Sequence, residues 1–319
     1  MDIYRSDRQM VVVALGGNAL IQPGDTPDIS TQEANAQNIV AKLMPLVERD
    51  YNIVVTHGNA PQVGNLLLLN DCAQDQLPRM PLDVLVAETE GSIGYLLQQA
   101  FLNKLRESEA RRYVVTVITQ VVVSPNDPAF IKPTKPIGMY YQEAEAKALK
   151  ERYGWEMINV GDRGWRRVVP SPRPLKIIQR HMIRHSAQEG HIVIAGGGGG
   201  VPIKVDQNGR YEGVEAVIDK DLTSAMLASE IKADILIILM EEPKVFVHYQ
   251  TPKQRALDRV TLSEITDHLA EGHFPAGSIG PKVDAAIQFV QRGGRQAIIT
   301  SADRLSAALD GQDGTTIVS

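Results

Sequence analysis

Apolar residues follow two alternating rhythms along the chain. Met10 to Leu15 reads M-V-V-V-A-L, and Ile53-Val54-Val55 is a second continuous run. Short runs without polar interruption predict strands buried on both faces. Between them Ala36, Ile39, Val40, Leu43 and Val47 recur at helical spacing behind Ser30-x-x-Glu33, which reads as a capping box. The same pattern predicts a long helix over Glu88 to Lys104, strand material from Val114 to Val123 and a helix at about Pro174–Glu189. Further strands fall at His191–Ala195, Ile235–Leu239, Ala297–Thr300 and Thr315–Val318. Strands alternating with helices predict an α/β fold, a mainly parallel sheet with helices on both faces.

Residues 124 to about 173 break this rhythm. They carry Pro125, Pro128, Pro133, Pro136, Pro170 and Pro172 around a short helix near Glu143–Tyr153. Such an interruption predicts an inserted flap or small subdomain. The 319 residues suffice for one large domain or two lobes. A formal net charge of −5 advertises no basic face and argues against nucleic acid as a partner. Cys72 is the single cysteine, which excludes an internal disulfide and fits a reducing compartment. Neither a signal core nor a bilayer-length apolar run is present, so a cytoplasmic protein without membrane contact is expected.

Three predicted strands end in glycine-rich loops: Gly16-Gly17-Asn18, His57-Gly58-Asn59 and Gly196 to Gly200. In open α/β sheets ligands bind beyond the carboxyl ends of the strands, and glycine lets backbone N–H groups approach an anion. Neither G-x-x-x-x-G-K-[ST] nor a helix-opening G-x-G-x-x-G occurs. Lysines supply a second signal. Lys135 sits between Pro133 and Pro136, Lys282 follows Pro281 in a first helical turn, and Lys220 lies between Asp219 and Asp221 before a helical pattern. Asp221 stands where an N-cap belongs. A cation at a helix N-terminus opposes the dipole and points to an anion nearby. Solvated charges on an ordinary capped helix are the plain alternative. Three lysines with glycine loops suit phosphoryl transfer better than metal hydrolysis, because that reaction rests on positioning and charge neutralisation. A carboxylate-type acceptor, ionised at neutral pH, needs no general base.

Several blocks occur in one order along almost the whole chain: A-L-G-G-N-A (14–19), H-G-N (57–59), P-Q-V-G-N (61–65), G-S-I-G-Y (91–95) and T-Q-V-V-V (119–123). P-T-K-P-I-G (133–138), R-G-W-R-R-V-V-P-S-P (163–172), E-A-V-I-D-K-D (215–221) and G-H-F (272–274) follow. On these blocks the chain resembles the carbamate kinases, within the amino-acid kinase superfamily. The resemblance implies a three-layer αβα sandwich with a small protruding subdomain. An acid-binding lobe would span about 1–212, a nucleotide-binding lobe about 213–319 and the flap about 124–173. It implies a homodimer that moves phosphate reversibly between Mg-ATP and carbamate, giving ADP and carbamoyl phosphate, with Mg2+ as cofactor and no metal ligand assigned among the side chains. Lys135, Lys220, Asp221 and Lys282 match the catalytic group. Gly16, Gly17, Asn18, Gly58, Asn59, Gly198 and Gly199 match the acid site. Asp219, Lys220, Tyr249, Gly277, Ser278 and Lys282 match the nucleotide side. Many amino-acid kinases carry a lysine where this chain has Ala14, and Lys135 would reach in from the flap to replace it. The chain departs from the pattern at Ala60, at Asn159-Val160-Gly161-Asp162, and at Leu239 to Pro243 with His248 to Pro252. These departures keep two alternatives open: a kinase for another small carboxylate or carbamate, and a non-catalytic ligand-binding protein on the same scaffold.

Overall fold

The apolar runs become strands whose side chains point alternately into two cores. Met10, Val12 and Ala14 face one core with Val54, Leu236 and Ile238. Val11 and Val13 face the other with Ile53, Val55 and Ile237. The computed structural model describes residues 8–17, 19–22, 24–26, 28–275 and 279–319. Its main sheet contains β1 (Met10–Ala14), β2 (Asn52–Thr56), β3 (Val114–Val117), β4 (Ile192–Ala195), β5 (Ile235–Met240), β6 (Arg259–Thr261), β7 (Gln296–Ser301) and β8 (Thr315–Val318). The spatial order is β6-β8-β7-β5-β1-β2-β4-β3. All neighbours from β7 to β3 pair in parallel. Only the β7–β8 pair is antiparallel, and the edge strand β6 then pairs in parallel with β8.

Helices cover both faces. α1 (Ile29–Glu48), α3 (Leu82–Arg106) and α9 (Leu305–Leu309) bury Val40, Leu43, Leu97, Phe101 and Leu305 on one side. On the other, α5 (Arg180–Gln188), α6 (Lys220–Glu230), α7 (Leu262–Ala270) and α8 (Gly280–Gln291) bury Ile183, Leu227, Ile265, Ile287 and Phe289. The result is the three-layer αβα sandwich. No described helix is long and apolar enough to cross a membrane.

Local differences from the expected elements have physical causes. α1 is capped by Asp28, which accepts from Thr31 N–H at 2.8 Å, so Ser30 lies inside the first turn. The strand material from Val114 to Val123 divides at Ile118-Thr119. Gln120–Val123 leaves the main sheet for a second one with Tyr211–Gly213, Val201–Val205 and Pro174–Ile177. Pro174–Ile177 is therefore a strand rather than a helix start, and α5 begins six residues later than Pro174, at Arg180. α2 (Ala60–Cys72) has no counterpart in the pattern reading, because Leu66 to Leu69 are contiguous and blur the 3.6-residue period.

The proline-rich interruption carries its own antiparallel sheet of Lys135–Tyr141, Trp165–Val169 and Met157–Asn159, with α4 at Glu143–Tyr153. A small apolar cluster of Tyr141, Ala146 and Trp155 holds it together. Two contacts seat it on α2. A Cβ on Gly64 would collide with the Gly138 backbone, so strand and helix touch where neither has a side chain. Buried Asp71 of α2 accepts from Trp155 Nε1 at 2.8 Å and from Arg167 at 3.3 Å.

Candidate active site

β1, β2 and β4 are adjacent and parallel, so their C-terminal loops converge on one edge. There Gly58 packs against Gly17: a Cβ on Gly58 would lie 3.0 Å from Gly17 Cα and 3.5 Å from the Lys220 stem. The backbone N–H groups of Gly16, Gly17, Gly58 and Asn59 make no hydrogen bond to another described residue. They line the edge together with the N-terminus of α2. Asn59 caps that helix by position, while its side-chain amide donates to Thr89 at 2.9 Å. Free N–H groups beside a helix start form an anion site.

The five-glycine loop is built differently from the other two. Gly196, Gly198, Gly199 and Gly200 donate to Thr119 Oγ1, His57 O, Gly196 O and Gly197 O respectively, so these donors are already engaged. Side chains at Gly197 and Gly198 would strike the His57 ring and the Asn59 amide. Gly198 and Gly199 thus serve close packing in left-handed backbone, with φ of 64° and 94°, and shape the floor of the site.

The charged group sits at the start of α6. Asp219, not Asp221, is the N-cap: its Oδ1 accepts from Asp221 N–H at 2.9 Å. Its Oδ2 accepts from Lys135 Nζ at 2.7 Å, across 84 residues of sequence. Asp221 is therefore free to hold two lysines, Lys220 at 2.7 Å on Oδ1 and Lys282 at 3.1 Å on Oδ2. Three ammonium groups on two carboxylates leave one net positive charge facing the loops. Burial works against charge throughout this group. It would raise the Asp221 carboxyl, but Lys220 and Lys282 outweigh it and hold the group well below the usual carboxylate range. Burial likewise lowers Lys220, partly offset by Asp221. Asp219 is held down against burial by Lys135.

A cleft of about 810 Å³ opens beside this group. Gly16, Gly17, Met240, Phe246, Tyr249 and Lys282 are among its walls, so the phosphate-type donors and an apolar, aromatic surface share one space. Tyr249 donates to Glu242 at 3.0 Å and lies 5.8 Å from the Phe246 ring, which places the unusual 240–252 segment on this wall. Asn18, Gly277 and Ser278 lie outside the described residues.

Two buried groups were given no role from the sequence, although His57 opens the His57-Gly58-Asn59 loop. His57 lies behind the glycine loop, its Nδ1 3.0 Å from Gly58 O, and burial lowers its pKa to about 4, with Lys220 adding to the effect. Glu90 accepts from Thr119 N–H at 2.7 Å, and burial pushes its carboxyl well up, so it stays protonated where an exposed glutamate ionises. Neither has a spacing signal, because both owe their character to burial. His57 carries a pH prediction. Its folded pKa lies below the unfolded value, so the unfolded chain binds the extra proton and stability falls as pH drops from about 6.5 toward about 4. Between pH 7 and pH 5 the loss is about 2 kcal/mol. Urea unfolding at both pH values should show a smaller acid loss in His57→Gln; an equal loss would refute the assignment.

Lysines anchored by two aspartates, glycine-loop donors and an adjoining nucleotide-sized cleft define a phosphotransferase. The description "Amino acid kinase family" matches residues 9–301. Carbamate kinase of Thermococcus kodakarensis is 46% identical over 311 residues, covering 97% of this chain and 98% of its own. A carbamate kinase-like protein of Escherichia coli is 43% identical, covering 98% and 99%. The solved carbamate kinase of Giardia lamblia bound to AMP-PNP superposes with a TM-score of 0.90 at 41% identity, covering 98% of this chain and 99% of that one. The chain belongs to the amino acid kinase family, among the carbamate kinases.

Proposed function

We propose that the protein transfers a phosphoryl group reversibly between ATP and carbamate. In the direction of ATP synthesis, a terminal oxygen of ADP attacks the phosphorus of carbamoyl phosphate. The bond to the carbamate oxygen breaks, and carbamate leaves as the anion. The observation that carries this reading is the Asp219–Asp221 pair tying Lys135, Lys220 and Lys282 together between the loop donors and the cleft. Gly16, Gly17, Gly58 and Asn59 would hold the acid and Tyr249 the nucleotide, and the family resemblance gives Asn18 a role with the acid and Gly277 and Ser278 a role with the nucleotide. On this reading the acid side comes from about 1–212 and the nucleotide side from about 213–319. Mg2+ would enter on the nucleotide phosphates and neutralise charge there, since both carboxylates are occupied by lysines. ATP formation from ADP, Mg2+ and carbamoyl phosphate, with Lys220→Ala as blank, tests the proposal. Silence from folded wild type would overturn it.

Positioning of Lys135 from the flap yields a further prediction. Gly64→Ala drives a methyl into Gly138 and must shift the strand that carries Lys135. A displacement of about 1 Å costs on the order of 10²-fold in rate, and because backbone must give way to the methyl the melting temperature should fall as well, by an overpacking cost of about 1–3 kcal/mol. Native turnover in Gly64→Ala would show that the flap contact is incidental. We also infer a homodimer through the exposed face around Tyr95, Leu102, Tyr113 and Ile118, beside the edge strand β3. Light scattering should give twice the 35.0 kDa chain mass, and a monomer would rule it out.

A further inference from the structure

We propose that His268, Glu271 and His273 form a binding site for a borderline divalent transition metal such as Zn2+. The argument begins with the end of α7. Glu271 is its C-cap, and Gly272 follows in left-handed backbone with φ of 79°. Gly272 N–H then donates to Leu269 O at 3.1 Å and His273 N–H to His268 O at 3.2 Å. This bond pair closes a left-handed helix cap, in which the residue after the glycine folds back over the side chain it bonds, commonly as an apolar contact. Here both positions are histidine.

The fold-back brings the His268 and His273 rings to 5.4 Å, with the Glu271 carboxylate between them. Both imidazoles address one oxygen: Glu271 Oε2 lies 3.5 Å from His268 Nδ1 and 3.1 Å from His273 Nε2. The three ligand atoms all lie within 4.8 Å of one another. Ligands at 2.0–2.2 Å in a tetrahedron stand about 3.3 Å apart, so two of the three edges are already close to length. His268 Nδ1 is buried and has no hydrogen-bond partner among the described residues, which leaves a ring nitrogen unsatisfied at the centre of the cluster. Two imidazoles and a carboxylate favour Zn2+, Co2+ or Ni2+ over Mg2+ or Ca2+. Glu271 stays exposed, giving the ion a way in.

The site adjoins the cleft without belonging to the lysine group. His273 lines the cleft, and His248 packs edge-on against it at 4.3 Å. A bound ion would therefore stiffen one wall of the cleft. A second histidine–glutamate group offers an internal comparison. His185 and His191 contact opposite oxygens of Glu189, at 2.8 Å and 3.6 Å, and so do not converge.

Calorimetric titration of chelator-treated, nucleotide-free full-length protein with Zn2+, paralleled by Co2+ visible absorption, tests the site. One equivalent should bind at micromolar or lower concentration, with a Co2+ band of a low-coordinate site. His268→Ala, His273→Ala and Glu271→Gln should each weaken binding by about tenfold or more. His185→Ala should bind as wild type does, with circular dichroism confirming the fold of each variant. Absence of binding in the wild type, or binding that survives both His268→Ala and His273→Ala, would overturn the proposal.

Discussion

Lys220→Ala is expected to lose about 10²- to 10³-fold in kcat while remaining folded. The Lys220 stem runs past Gly58, 3.5 Å from where a Cβ there would stand, and its ammonium group is held by Asp221, which also binds the cleft-lining Lys282. In phosphoryl transfer the charge spread over the moving group must be neutralised by groups already in place, and a lost preorganised donor costs about that factor. The fold tolerates the change for two reasons. Alanine is favourable in the first turn of α6, and Asp221 keeps Lys282 as a partner, so no buried charge is left alone. Lys220→Arg should not restore activity, because the stem is buried against Gly58 and Asp221 and a planar guanidinium does not reproduce the position of the compact ammonium group. Steady-state ATP formation with thermal melts on the same samples separates the two effects. A near-native rate in Lys220→Ala would remove the lysine from the reaction.

The sandwich was legible because β1, β2, β4 and β5 are buried on both faces and therefore read as continuous apolar runs. α2 was not, since four consecutive leucines carry no helical phase. The edge that holds the site was readable from three glycine loops following three strands. What each loop does was not readable: Gly58 is pressed against Gly17 while the N–H groups of both stay unpaired among the described residues, whereas at 197–199 His57, Asn59 and Ile218 press on a chain whose donors are mostly engaged. Two aspartates two residues apart made the cap ambiguous, and only the backbone geometry assigns it to Asp219. The Lys135–Asp219 contact could not be found by spacing at all. It depends on Gly64 and Gly138 letting the flap cross α2. Resemblance named Lys135, and the fold supplies the physical reason it arrives.

Asp221→Ala should differ from the lysine variant by damaging stability as well as turnover. Removing one carboxylate strips partners from both Lys220 and Lys282, and Lys220 is deeply buried. Breaking a buried ion pair on one side costs about 3–5 kcal/mol, because the remaining charge stays desolvated. The deficit should also depend on pH. Burial already lowers the Lys220 pKa, and without Asp221 only the weaker pull of Asp219 offsets it, so the folded variant holds this lysine's proton less tightly than the unfolded chain does. Where the unfolded state binds more protons, stability rises with pH. The gap between wild type and Asp221→Ala should accordingly narrow from pH 7 to pH 9 in urea unfolding. Asp221→Asn preserves a hydrogen-bond acceptor without the charge and should fall between the two in stability, yet remain nearly as inactive as the alanine variant. If Asp221→Ala matched wild type in both unfolding midpoint and rate, the aspartate would not be what holds the two lysines in place. The site would then have to be organised by Asp219 and the flap alone.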